Sequence, residues 1–148
     1  MFKHILIPTD GSALAAKGIR AGVKLAAKLG ARVTGVYVIQ PYAAPMYADA
    51  AMYVPASAFD DYDKASKAQA KKALAAIARA AAGAGVRCAS RVVEDMQPWQ
   101  GIVKAARKAS CDAIVMASHG RGGLGGVILG SQTARVLAHS KIPVLVIR

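Results

Sequence analysis

Short apolar runs alternate with longer stretches in which apolar residues recur every three or four positions, and this alternation continues along the chain. Ile5, Leu6 and Ile7 mark a strand over about residues 3–8, stopped by the turn and cap formers Pro8-Thr9-Asp10-Gly11-Ser12. Leu14, Gly18/Ile19, Gly22/Val23 and Ala26 then repeat at helical spacing, with Lys17, Arg20, Lys24 and Lys28 between them, until Gly30 ends the pattern. Residues 32–39 read as a second strand through Val33, Val36, Val38 and Ile39. The longest helical run is 64–82, where Ala70, Leu74, Ile77 and Ala81 share a stripe and Lys67, Lys71 and Lys72 face water. Ser57 and Asp60 have capping-box spacing near its start, and Gly83 and Gly85 close it. A strand over 86–93, a helix over 98–108 with Pro98 near its first position, a strand over 112–117, a helix over 131–139 and a strand over 143–147 complete the series.

Five strands separated by helices require right-handed crossovers, which predicts a doubly wound α/β domain with a parallel five-stranded sheet of order 3-2-1-4-5. The topological switch then falls between the first and fourth strands, where ligands of such folds bind just beyond the carboxyl ends. Here those ends are Pro8-Thr9-Asp10 and Met116-Ala117-Ser118. Residues 40–56 interrupt the alternation with three prolines and three tyrosines, a stretch that fits a lid, an interface element or disorder.

The 148 residues suit one domain, read as 1–148 without repeat or linker, and a chain of this size buries about 68–70% of its unfolded surface. A hydrophobic content of 55% excludes a solvated disordered chain, and no apolar run approaches the ~18 residues of a membrane span. The start MFKHILIPTD lacks the layout of a secretory signal, so a cytoplasmic location is expected. Cys88 and Cys111, the two cysteines, have no metal-ligand spacing and read as reduced structural thiols. Twenty Lys and Arg against eight Asp and Glu give a net charge of +12, which attracts anions without choosing among them. Nucleic acid is disfavoured because the lysines are spread along amphipathic helices and no recognition signature accompanies them.

The chemistry concentrates at 112–136, DAIVMASHGRGGLGGVILGSQTARV, where an apolar strand enters a glycine loop that ends at a helix start. Unpaired backbone N–H groups and the helix dipole favour an anion there, and a phosphate is the natural guest. Gly120 to Gly125 matches GxGxxG by letter but lacks the direct turn into a helix and the later carboxylate that a dinucleotide fingerprint needs; no GxxxxGK[ST] is present. His119 has no nucleophile or orienting group at a suitable spacing, His139 and Lys141 suit a helix C-terminus, His4 has no evident partner, and Trp99 reads as a packed aromatic beside Pro98. Glu94 and Asp95 have no second acidic pair opposite them.

A different spacing fits better: Gly120, nine residues, then Gly130-Ser131. With the opening ILIPTDGS and the closing IPVLVIR, it resembles the universal stress protein family over the whole chain, whose nucleotide-binding branch carries G-x2-G-x9-G-[ST]. The resemblance implies an adenine nucleotide alpha hydrolase-like fold and a protein that binds ATP, or AMP or ADP, with Mg²⁺, as a ligand switch in a stress response. On it, Gly120, Gly130 and Ser131 cradle phosphates, Gln132 and Thr133 extend the helix start, Arg121 adds charge, and Asp10 faces the ribose or the metal. The backbone near Val38 reads the adenine edge, and Pro8, Thr9 and Met116 supply wall. The family's first glycine falls on Ala117, so the motif here is A-x2-G-x9-G-S, and its added methyl favours the alternative of a non-binding, dimeric interaction module. Asp10, Ser12 and Ser131 also fit plain helix caps, and the glycines a plain flexible loop. No convincing catalytic base accompanies the site, so an enzyme is not expected beyond slow ATP hydrolysis. The apolar edge strand 143–148 is expected to pair with a second copy, as the family commonly does.

Overall fold

The computed structural model describes residues 1–42, 56–118 and 129–148. Its elements are β1 (His4–Pro8), α1 (Ala15–Leu29), β2 (Arg32–Ile39), α2 (Ala56–Gly83), β3 (Cys88–Glu94), α3 (Pro98–Lys108), β4 (Ala113–Ala117), α4 (Ser131–His139) and β5 (Val144–Ile147). The five strands form one parallel sheet in the order β3-β2-β1-β4-β5, as the alternation of patterns predicts. The structure begins α2 eight residues before the predicted helical run of 64–82, which puts Ser57 and Asp60 inside the helix and removes their capping role. Those extra turns are largely exposed, so no buried periodicity announces them. Of the stretch 40–56, residues 43–55 lie outside the described residues.

The two-residue period of each strand sends alternate side chains into two cores. Ile5, Ile7, Val33, Tyr37, Ile39, Ala113 and Val115 meet Ile19, Val23 and Ala26 of α1 and Ala70, Leu74, Ile77 and Ala81 of α2. Leu6, Val36, Ile114 and Met116 point the other way, onto Ile102, Val103 and Ala106 of α3 and Val136 of α4. The α1 helix stops where Gly30 turns left-handed at φ 63° and the Ala31 N–H donates back to the Ala26 carbonyl at 2.9 Å. Its Lys17, Arg20, Lys24 and Lys28 are exposed, opposite the packed face.

At the amino end of the sheet the structure supplies His4 with the partner that its sequence neighbourhood does not reveal. Its Nε2 lies 2.8 Å from Thr34 Oγ1 on the adjacent strand, while the Asp112 carboxylate accepts the backbone N–H groups of Lys3 and His4 at 2.8 and 2.9 Å. Burial, reinforced by the charge of Arg32, holds the His4 imidazole below its ordinary pKa of 6.5. Cys111 is buried nearby and its thiol is pushed up to about 11, mainly by burial, whereas Cys88 is exposed on β3 and does not belong to the core.

A neutral buried histidine stabilises the fold fully above its unfolded pKa of 6.5, and that contribution is lost as pH falls through the depressed folded value. Urea unfolding at pH 7.5 and 5.5 should therefore show a loss of stability on acidification that is smaller in His4→Gln, whose amide still reaches Thr34. Equal losses in both proteins would remove His4 from the account.

Candidate functional site

The carboxyl ends of β1, β2 and β4 form one edge of the sheet, and the helices that follow β1 and β4 pack on opposite faces, α1 on one and α4 on the other. After β1, three short polar residues fold the chain back on itself. The Thr9 N–H continues the ladder to the Val36 carbonyl at 3.0 Å, and its hydroxyl accepts the Gly11 N–H at 3.1 Å. Asp10 Oδ1 accepts the Ser12 N–H at 2.9 Å, and Ser12 Oγ accepts the Ala15 N–H at 3.1 Å. Ser12, not Asp10, thus satisfies the N–H of the first α1 residue, and the Asp10 carboxylate shapes the loop beside the β1 end. Gly11 is required here: its φ is 79°, and a Cβ would lie 2.9 Å from Gln69 Nε2 of α2.

The end of β4 is bound to the start of α4. Ser118 donates its N–H to the Ile147 carbonyl at 2.7 Å, its own carbonyl accepts the Gly130 N–H at 2.7 Å, and the Thr133 hydroxyl donates to the Ala117 carbonyl at 3.0 Å. Gly130 is the N-cap of α4 and brings no side-chain cap, while its carbonyl accepts the Ala134 N–H at 2.9 Å to start the helix. The first turn, Ser131 to Thr133, consequently presents its backbone N–H end beside the β4 terminus. Gly120, Arg121 and His119 lie outside the described residues.

The remaining candidates divide by where their side chains go. Ser131 is exposed, and Pro8, Asp10, Val38 and Ala117 are half-buried along the same edge. Thr9, Met116 and Thr133 are buried, and the Gln132 carboxamide oxygen accepts the Trp99 N–H at 3.0 Å across to α3. Gln132 and Thr133 therefore spend their side chains on holding α4 to α3 and β4. Trp99 itself stacks on His139 with ring centroids 4.4 Å apart, a contact between α3 and α4 that the sequence spacing does not disclose. On the neighbouring β3–α3 turn, a hydrogen bond from Lys104 at 2.7 Å and the Gln97 N–H at 3.0 Å hold the Asp95 carboxyl below its usual range. Among the described residues no group of three or more His, Cys, Asp or Glu could hold a metal ion directly.

The family model of universal stress proteins matches residues 1–148, the whole chain. The chain belongs to the universal stress protein family. A member from Thermus aquaticus is 31% identical over 148 residues, covering all of both proteins. The solved structure of MJ0577, a universal stress protein of Methanocaldococcus jannaschii, superposes with a TM-score of 0.81 at 26% identity over 99% of this chain and 96% of that one. Two more distant members share the fold and were solved with adenine nucleotides. One, in complex with cAMP, has a TM-score of 0.71 at 21% identity and covers 99% of this chain and 97% of its own. The other, from Archaeoglobus fulgidus in complex with dAMP, has a TM-score of 0.62 at 19% identity over 100% and 98%.

Helix α1 passes so close to the β4 terminus that a Cβ on Gly18 would sit 2.8 Å from the Ala117 backbone nitrogen. Backbone cannot yield as a flexible side chain does, so Gly18→Ala should destabilise the fold by about 1–3 kcal/mol and displace the end of β4. Thermal unfolding combined with amide chemical shifts of Ala117 and Ser118 checks this. A stability and shifts equal to those of the parent would contradict the close approach.

Proposed function

We propose that this member of the family binds ATP or another adenine nucleotide, with Mg²⁺ on the phosphates, in the crevice between the β1 and β4 ends, and works in the cytoplasm as a ligand switch and not as an enzyme. The observation that carries the reading is the start of α4, whose N-cap Gly130 brings no side-chain cap and is held against the β4 terminus by the Gly130–Ser118 hydrogen bond, on the sheet edge it shares with Asp10. Phosphate oxygens would accept N–H groups from the first turn of α4, and the helix dipole adds to that attraction. Ser131 is exposed at the same turn, where its hydroxyl would donate to phosphate. Gly120 and Arg121 would complete the anion cradle from the glycine loop. Asp10 would meet the ribose or the metal, and the main chain at Val38, with Pro8, Thr9 and Met116, would enclose the base. Bound Mg²⁺ would neutralise phosphate charge. The cAMP and dAMP complexes of the two distant members support an adenine nucleotide as the class of ligand.

Ala117 supports a second reading, a dimeric interaction module without nucleotide. Its side chain is half-buried where the binding branch has glycine. In both readings we propose a homodimer through β5, an edge strand whose Leu145 is 47% exposed.

Calorimetric titration should show ATP binding that exceeds GTP binding at constant salt, and Ser131→Ala should weaken it by about tenfold or more, the value of a hydrogen bond to a charged group. Tighter binding by Ala117→Gly would identify the methyl as a hindrance. Absence of binding at millimolar ATP with Mg²⁺, in both the parent and Ala117→Gly, would favour the interaction module. For the dimer, sedimentation equilibrium should show Leu145→Lys shifted toward monomer, and an unchanged profile would reject β5 as the interface.

A further inference from the structure

The opposite edge of the sheet carries a surface that the nucleotide reading does not use. β3 pairs with β2 alone, through a register running from Val33↔Cys88 to Ile39↔Glu94, and no other described strand lies beside it. The Val33 N–H donates to the Arg87 carbonyl at 2.8 Å and the Asp95 N–H donates to the Ile39 carbonyl at 3.1 Å. Peptide groups alternate in direction along a strand, so those of Cys88, Ser90, Val92 and Glu94 point away from β2, toward the open edge. No residue of this seven-residue strand is buried, and Val92 is 49% exposed.

Three of these four residues, Ser90, Val92 and Glu94, turn their side chains toward α2, where a groove of about 640 Å³ lies between helix and strand. Leu74, Ala75 and Val92 give it an apolar floor, and Lys67, Lys71, Ser90 and Glu94 complete its lining. Lys67 is bridged to Asp63 at 2.7 Å; Lys71 has no ion-pair partner among the described residues. On the other face of the strand, Arg91 is exposed, as is Arg87 just before it, and neither has an ion-pair partner among the described residues.

From this arrangement we infer that β3 is a docking edge for an extended segment of another protein in which apolar and acidic residues alternate. Added beside β3, such a segment pairs with the four outward peptide groups, lays its apolar side chains over Val92, Leu74 and Ala75, and turns its carboxylates to Arg87 and Arg91. Charge selects the occupant. A second copy of this chain paired antiparallel over the full strand would set Arg91 against Arg91, a like-charge opposition that disfavours self-pairing. Glu94 lies on the groove face of the strand, where it meets the segment's apolar side chains and not its carboxylates.

The test uses the full chain and two fluorescein-labelled peptides, acetyl-(Val-Glu)4-amide and acetyl-(Val-Lys)4-amide, followed by anisotropy and by amide hydrogen exchange. The acidic peptide should bind at least about fivefold more tightly than the basic one, as a few cross-strand charge pairs allow. Arg87→Glu/Arg91→Glu, a change confined to exposed side chains, should reverse that order. The acidic peptide should slow exchange at Cys88, Ser90, Val92 and Glu94, and Ser90→Pro, which removes one outward N–H, should weaken binding. Equal affinity for the two peptides, or charge-dependent binding without protection at these amides, would overturn the proposal. So would protection of these amides that exists without peptide and disappears on dilution, since the edge would then belong to a second copy.

Discussion

Between β1 and β4 the chain leaves neighbouring parallel strands in opposite directions, toward α1 on one face and toward α4 on the other. In doubly wound folds such a parting is where a crevice opens beyond the strand ends. The rest of the structure serves to hold its walls in place. Gly18 and Gly22 let α1 lie directly on the sheet, where a Cβ on Gly22 would come within 2.7 Å of Ile7 Cδ1. On the other side, Ser118, Gly130 and Thr133 bind the start of α4 to the end of β4.

This division explains why polar side chains at the crevice have unlike roles. Those that anchor the scaffold are satisfied internally: Thr9 within its own turn, Thr133 on the Ala117 carbonyl and Gln132 on the Trp99 N–H. Buried polar groups need such partners, and once paired they contribute rigidity instead of recognition. Among the described residues, Ser131 at the start of α4 is exposed, with the half-buried Asp10 turn across the edge. A rigid frame with a polar main-chain mouth suits a phosphate better than it suits acid–base chemistry.

The strand order was legible because each element carries its own period: Ile5 and Ile7 face one core and Leu6 the other, while Ile19, Val23 and Ala26 keep to one side of α1. The start of α4 at Ser131, beside the β4 end, followed from that order and from the spacing of Gly130-Ser131. Pairings across large sequence separations left no local trace. Thr34 beside His4, Gln132 on Trp99 and Trp99 on His139 depend on which elements the fold brings together. The early turns of α2 and the exposure of Cys88 were missed for a related reason, since exposed helix and an uncovered edge strand impose no apolar pattern.

Amide chemical-shift mapping with ATP and Mg²⁺ reports which main-chain groups meet the ligand. Nucleotide bound between β1 and β4 should give the largest changes at Asp10, Ala117, Ser118 and Ser131 to Thr133, with little change along the exposed cations of α1. Changes confined to Lys17, Arg20, Lys24 and Lys28, with Ser131 to Thr133 unmoved, would contradict it and reduce the interaction to attraction by the +12 charge.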